Sequence, residues 1–255
     1  MSPDNAIWFA ANGTEVAVLV LLVLRRVYRK LPVFFAYCIW ALVSDLAAYS
    51  IKSFYPPGYN INFYLAVSVV DFAFQFCVLV ELAWSVLRPI RASLSRLALV
   101  WVAVVILAVG SAIWPFAGIA ALHVPSLTWR YVVQLQQTAS ILRILFFLVL
   151  AGCSQLLSIG WRDRELQVAT GFGFYSLVSV AVAAMNTHQA STLQFVHLYW
   201  LVVISFLCSL FYWIYSFAQQ EAERRAFDPQ VQSALLALAR AAHGTRMGLE
   251  TKLES

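Results

Sequence analysis

Long apolar runs dominate the pattern of positions along this chain. A helix that crosses the hydrocarbon core of a bilayer needs about 20 consecutive, mostly apolar residues. Runs of this kind recur seven times, separated by short polar segments. They predict transmembrane helices at about residues 6–24, 31–51, 62–87, 97–114, 131–158, 166–186 and 193–217. The predicted fold is therefore all-α, a polytopic membrane protein built as a seven-transmembrane-helix bundle.

The composition supports the same fold class. Of the 255 residues, 62% are hydrophobic and 11% are charged, whereas soluble domains average about 25% charged residues. A soluble domain of this length cannot bury so much apolar surface, but a lipid bilayer accepts it. We therefore expect the lipid bilayer to be the main partner of a single transmembrane domain, residues 1–218. The net charge of +5 lies in short clusters beside the apolar runs, which favours a membrane surface over nucleic acid as a partner.

Basic residues occur in alternate loops, and this bias predicts the orientation. Lys and Arg are retained on the cytoplasmic side of a membrane. The only basic residues of the intervening loops are Lys52 and Arg130, which lie at the edges of those loops. The basic segments contain Arg25, Arg26, Arg29, Lys30, Arg88, Arg91, Arg96, Arg162, Arg164, Arg224 and Arg225. The sequence thus predicts an N-terminus outside and a C-terminus in the cytoplasm, in a plasma membrane or bacterial inner membrane.

The segment after the seventh apolar run is polar and forms a predicted cytoplasmic tail, residues 219–255. Asp228 and Pro229 provide a helix cap followed by proline at the first helical position. Apolar residues then repeat at helical spacing, which predicts a short amphipathic helix at about 229–243. Such a helix can lie on the inner membrane surface or serve as a docking site for a cytoplasmic protein partner.

Polar side chains inside the apolar runs are the candidate functional residues. An ionisable group at mid-helix costs about 2.5–3.5 kcal/mol on insertion scales, so its presence calls for a reason. The candidate ligand-binding residues are Glu15, Asp45, Asp71, Gln75, Gln136, Arg143 and His197. Glu81 lies off the Asp71 face near the predicted inner boundary, and we expect its side chain to reach the membrane surface.

Spacing places several of these residues on common helix faces. Asp71 and Gln75 are four residues apart, and Gln136, Ser140 and Arg143 follow the same rule on the fifth predicted helix. We expect a polar cavity in the outer half of the bundle in which Arg143 pairs with an acidic residue.

Charge indicates what such a cavity would bind. Three acidic residues, Glu15, Asp45 and Asp71, surround one arginine, and this excess favours a proton, a cation or an amine as ligand. The alternative is a purely structural network, whose hydrogen bonds average about 0.6 kcal/mol each.

The motifs of known membrane cofactors and enzymes are missing. The seventh predicted helix has no lysine for a retinal Schiff base, and the histidines His123, His188 and His197 match neither a haem pair nor a metal-ligand spacing. Gly152-Cys153-Ser154 has no histidine at matching depth to act as a base. We therefore expect no enzymatic activity, no cofactor and no metal.

Three functions remain open on the sequence. The first is a receptor-like or sensory protein that binds a small, cationic ligand and signals through a cytoplasmic partner. The second is a small transporter or ion carrier with 3+1+3 parallel repeats, because a shift of 135 residues aligns nine identities over 39 positions, from Arg29 with Arg164 to Val67 with Val202. The third is a structural subunit that packs against membrane protein partners.

The predicted orientation can be tested with paired reporters. Green fluorescent protein fused after Ser255 should fluoresce, and alkaline phosphatase at the same place should be inactive, because the tail is predicted to be cytoplasmic. Truncated fusions after Pro57, in the second loop, should give the reverse. The same result at both positions, or the opposite pattern, would contradict the predicted orientation.

Overall fold

The computed structural model describes residues 3–54, 61–87, 97–120, 126–152, 163–187 and 192–219. Within these ranges the chain forms seven α-helices, together with a short 3-10 helix at Val27–Arg29. The α-helices are α1 Pro3–Leu24, α2 Pro32–Phe54, α3 Ile61–Val86, α4 Leu97–Ala120, α5 Leu127–Gly152, α6 Arg164–Thr187 and α7 Thr192–Ala218. All seven are long and apolar enough to cross a membrane, which confirms the all-α prediction of seven such helices.

The largest difference in helix bounds is in α4, which continues past the predicted end at 114 to Ala120. Pro115 lies inside this helix and lacks the N–H that would bond to the preceding turn. Neighbouring side chains make such prolines tolerable in a membrane helix. Nearby, Gln134 Nε2 on α5 donates to the carbonyl oxygen of Trp114 at 2.8 Å, which ties this turn of α4 to α5, and the absent side chain of Gly118 leaves room for that amide.

The other bounds agree with the prediction to within a few residues. The fifth helix begins at Leu127 rather than 131. The end of its predicted range, 153–158, and the predicted amphipathic helix at 229–243 lie outside the described residues.

Six of the helices form a closed ring. Helix α1 packs against α2 and α7, and the ring continues through contacts of α2 with α3, α3 with α5, α5 with α6, and α6 with α7. Helix α4 packs at the periphery, mainly against α3 and α5. Its large apolar side chains, such as Trp101 and Phe116, are exposed, as expected of a surface that contacts lipid.

The helices alternate in direction, so the bundle has two distinct ends. At one end, here called the Trp8 face, Trp8 stacks on Tyr49 with ring centroids 4.2 Å apart, and Tyr64 lies 5.8 Å from Trp129. At the other end, here called the Arg164 face, α1, α3 and α7 finish and α2 and α6 begin. The sequence predicts that the Trp8 face is outside and the Arg164 face is cytoplasmic.

The helix ends at the Arg164 face are capped by side chains of other helices. The Glu81 carboxylate of α3 accepts the backbone N–H groups of Val33 and Phe34 at 2.7 and 2.8 Å, at the first turn of α2. This contact corrects our expectation that Glu81 reaches for the membrane surface. The reason is that the first N–H groups of a helix lack internal partners and favour a negative charge.

Arginines perform the complementary task at the end of α7. Arg164 Nη1 donates to the carbonyl oxygen of Ser216 at 2.8 Å, and Nη2 donates to that of Gln219 at 2.9 Å. Arg25 donates to the carbonyl oxygen of Ala218. These last carbonyls would otherwise lack helical partners, and a positive charge is favourable at a helix C-terminus.

An aromatic cluster lies next to these caps, on the side toward the centre of the bundle. Phe34 is fully buried and meets Trp213, Phe172 and Phe217 edge-to-face, with centroid distances of 5.3, 5.9 and 6.2 Å. Such pairs contribute about 0.5–1.5 kcal/mol each beyond the area they bury. The cluster joins α2, α6 and α7 in the half of the bundle near the Arg164 face.

The cap on α2 predicts a measurable loss of stability in Glu81→Gln. Glutamine lacks the charge and one of the two acceptor oxygens, and hydrogen bonds to a charged group contribute about 1.5–3 kcal/mol. We expect the free energy of unfolding in mixed micelles to fall by about 1–3 kcal/mol. Ser50→Ala, an exposed change on the same helix α2, is the control and should be near neutral. Equal stability of both variants would show that the cap is not stabilising.

Candidate functional site

The polar residues singled out on α3 and α5 line one common cavity. This polar cavity has a volume of about 180 Å³ and is walled by α2, α3, α5, α6 and α7. Its position along α3 and α5 puts it between the centre of the bundle and the Trp8 face. The polar lining residues are Tyr37, Ser68, Asp71, Gln75, Gln136, Gln137, Ser140, Arg143, Tyr175 and Ser179.

Helical spacing joins Asp71 and Gln75 as expected. Gln75 Nε2 donates to Asp71 Oδ2 at 2.5 Å. Gln75 is buried, and its Oε1 atom has no hydrogen-bond partner among the described residues. The pair therefore offers the cavity a carboxylate and an unused amide oxygen.

Arg143 is buried at mid-helix with only 5% of its surface exposed. Its Nη2 atom donates to Ser140 Oγ at 3.0 Å, and its guanidinium carbon lies 5.6 and 5.4 Å from the ring centroids of Phe172 and Tyr175. In the described part of the chain it forms no ion pair with a carboxylate, in contrast to our expectation. The negative faces of two aromatic rings take the place of the acidic partner.

Glu15 occupies a second, smaller cavity. This glutamate cavity has a volume of about 40 Å³ and is lined mostly by apolar residues of α1, α2, α6 and α7, among them Val18 and Leu210. Glu15 is 5% exposed, and neither carboxyl oxygen has a hydrogen-bond partner among the described residues. Glu15, which the sequence analysis placed in the polar cavity, thus lies in the neighbouring glutamate cavity.

The two cavities adjoin at a shared wall. Tyr37, Arg143, Tyr175 and Phe206 line both of them. These four residues come from α2, α5, α6 and α7 and cross the middle of the bundle. Arg143 therefore faces Asp71 on one side and Glu15 on the other, in contact with neither.

Two candidates from the sequence are not brought into either cavity by the described contacts. Asp45 is exposed on α2, about one turn beyond Ala41, and lines neither cavity. His197 lies in α7, and its side chain is outside the described residues. Depth explains the first result, because Asp45 follows Ala41 at helical spacing but lies about one turn nearer the Trp8 face, beyond the last residue of α2 that lines a cavity.

The aromatic members of the shared wall were missed by reasoning from the sequence. Tyr37, Tyr175 and Phe206 lie in apolar runs where an aromatic residue is more often a packing residue. A signal was present in α6, where Tyr175 and Ser179 are four residues apart and so share a face. Gln137 also lines the polar cavity beside Gln136.

Helix α6 approaches its neighbours closely at the glutamate cavity. Gly171 lines that cavity, and a Cβ atom there would overlap the indole of Trp213, while one at Gly173 would lie 2.8 Å from Cγ of Phe147. Small residues permit such close approach of membrane helices. Ser209 Oγ donates to the carbonyl oxygen of Gly171 at 3.0 Å, which ties α7 to α6 at the same level.

No protein-family model, curated protein or solved structure matches this chain. In the described ranges, no group of three or more His, Cys, Asp and Glu side chains could hold a metal ion. The chemistry of the two cavities is therefore the basis for inferring function.

The close contact at Gly171 predicts an asymmetry between two glycine substitutions. Gly171→Ala should lower the free energy of unfolding by about 1–3 kcal/mol, because overpacking displaces the buried Trp213 indole. Gly13→Ala on α1 is the matched control, since nothing lies within 4 Å of an added Cβ there. It should be neutral or stabilising by up to about 1 kcal/mol, the helix propensity gained by alanine. Similar effects at the two positions would contradict the close packing of α6 on α7.

Proposed function

We propose that this protein is receptor-like and binds a small polar ligand in the polar cavity. The observation that carries the proposal is a cavity of about 180 Å³, at membrane depth, that contains Asp71 and Arg143 without an ion pair between them. Charged groups within a membrane protein are costly and are found where function needs them. A volume below the usual range of roughly 300–1,000 Å³ for ligand sites limits the ligand to a small molecule.

The charges favour a ligand that carries an amine. Arg143 is met by Ser140 and two aromatic rings, so in the described structure the Asp71 carboxylate has no ion-pair partner, and a cationic group on the ligand would supply one. An ammonium donates hydrogen bonds, and Asp71 together with the unused Oε1 atom of Gln75 accepts them. Arg143 would meet an acceptor group at the other end of the ligand.

Helix α7 offers a route from the cavity to a cytoplasmic partner. Phe206 lines the polar cavity, and the same helix ends in the carbonyls held by Arg164 and Arg25. The tail that follows α7 is the segment with the predicted amphipathic helix. In this proposal the protein is multi-pass in a plasma or bacterial inner membrane, and a change at α7 is reported to another protein through the tail.

A carrier is the second candidate function, and the arrangement of the cavities favours it. The two cavities are separated by four side chains that line both of them, so a path between the cavities would be closed at this shared wall. The ring order α1, α2, α3, α5, α6, α7 maps onto itself when α1 is exchanged with α5, α2 with α6 and α3 with α7. Helix α4 outside the ring is where a 3+1+3 repeat would place its linking helix.

Native mass spectrometry of protein purified gently from its own membranes tests the proposal. The wild type should retain a small extra mass, and Asp71→Asn should lose it, because the amide cannot neutralise an ammonium. Asp45→Asn is the matched control, since it makes the same chemical change outside both cavities, and it should retain the mass. Its loss from both variants, or retention by both, would contradict binding in the polar cavity.

Reconstitution separates the two candidate functions. Once the extra mass identifies the ligand, wild-type protein in liposomes should bind it without moving it across the membrane if the protein is a receptor. Accumulation of the ligand inside the liposomes, reduced in Arg143→Gln, would favour the carrier. A protein-sized mass in the native spectrum, without a small ligand, would instead favour a structural subunit.

A further inference from the structure

The glutamate cavity contains an acidic group whose charge is met by no contact in the described structure. Both oxygens of Glu15 are buried and lack hydrogen-bond partners there. The ligand proposed above is not needed to explain this group, because Glu15 does not line the polar cavity. Something else must neutralise or solvate the carboxyl group.

The size of the glutamate cavity excludes an organic ligand. A single water needs about 10–15 Å³ of such volume, so about 40 Å³ holds a few waters at most. The cavity can therefore hold an inorganic ion with few waters, or water around a protonated carboxyl group, but nothing larger.

The lining chemistry argues against a metal cation. Hard cations take about six or more oxygen ligands. Apart from Glu15, the side-chain oxygens in the lining are the hydroxyls of Tyr37, Tyr175 and Ser209. The Ser209 hydroxyl already lies within hydrogen-bonding distance of the carbonyls of Gly171 and Ser205. The rest of the wall is largely apolar, with residues such as Val18, Phe172, Phe206, Leu210 and Trp213.

The titratable groups around Glu15 do not neutralise it by contact. Helix α2 contributes Tyr37 and Cys38 to the cavity, with Asp45 further along the helix, and α6 contributes Tyr175. Helix α5 contributes Arg143, which is bound to Ser140 and two aromatic rings and forms no ion pair with Glu15. Within the described lining, α7 contributes no titratable or charged side chain.

We propose that Glu15 is a proton-binding site, held as the neutral carboxylic acid at neutral pH and separate from the ligand cavity. A buried carboxylate without a partner is strongly unfavourable, and protonation removes that cost. The acid O–H donates to water in the glutamate cavity.

Infrared spectroscopy of the protein in lipid nanodiscs detects the proton directly. At neutral pH the wild type should show the carbonyl stretching band of a protonated carboxyl group, shifted to lower frequency in D2O. In Glu15→Gln that band, equivalent to one carboxyl per chain, should be lost. Glu81→Gln is the control, because the Glu81 carboxylate accepts two backbone N–H groups, and its spectrum should lose carboxylate bands while keeping the carbonyl band.

Other outcomes would overturn the proposal. If Glu15 instead gives carboxylate bands at neutral pH, and these bands shift when sodium replaces potassium, the site binds a metal cation. Carboxylate bands insensitive to cations would indicate an ion pair with Arg143 through water. Glu15→Asp keeps the carboxyl group while moving the band, so it provides the assignment even if Glu15→Gln does not fold. If the spectra of the wild type and of Glu15→Asp show no carbonyl band that differs in frequency between them, the proposed proton site is also refuted.

Discussion

Within a bilayer every backbone polar group has to find its partner inside the protein, and the helix ends are where this is hardest to achieve. Glu81 and Arg164 meet this constraint at the Arg164 face, each by reaching from one helix to the terminus of another. The aromatic cluster depends on the same two contacts. Phe34 donates its own N–H to Glu81 while its ring packs on Phe217, and Phe217 in turn lies under the Arg164 guanidinium at 5.4 Å. Caps and core are therefore one unit.

In the middle of the bundle, by contrast, several buried polar side chains have atoms without a hydrogen-bond partner in the described part of the chain. Glu15, Gln75 and Arg143 are buried there with polar atoms that lack hydrogen-bond partners in the described structure. Among the described residues, the charged groups thus divide by environment: Glu81, Arg25 and Arg164 bind backbone groups at helix ends, whereas those around the two cavities do not. Unsatisfied buried groups lower stability, and in a locally consistent fold they are expected where a ligand, water or proton completes them. This division, more than the presence of charge in a helix, is the basis on which we propose a functional role for the cavity residues.

Much of the fold could be predicted because apolar length alone specifies a membrane helix. The shared faces of Asp71 with Gln75 and of Gln136 with Arg143 followed from helical period. The end of α4 could not be predicted, because the contact that holds the chain beside Pro115 comes from Gln134 on another helix. The role of Glu81 was hidden for a similar reason, since its partners are backbone groups of α2. Asp45 was expected in the cavity because an ionisable group at membrane depth is costly, but the sequence does not show how far along α2 the cavity lining extends.

The two capped termini differ in how much movement they allow. Glu81 uses both oxygens on two particular N–H groups of α2, and the preceding residue, Pro32, has no N–H to offer in exchange. The last turn of α7 instead presents several carbonyls that lack internal partners, and Arg164 and Arg25 already bind two of them, together with the carbonyl of Gln219 just after the helix. An axial shift of α7 would exchange one acceptor for the next without leaving a guanidinium unpaired, whereas a shift of α2 would break its cap. Because α7 also lines both cavities, a change in their occupancy would reach the Arg164 face through this helix, and the contact that resists an axial shift is the bond of Ser209 to Gly171 rather than the end caps.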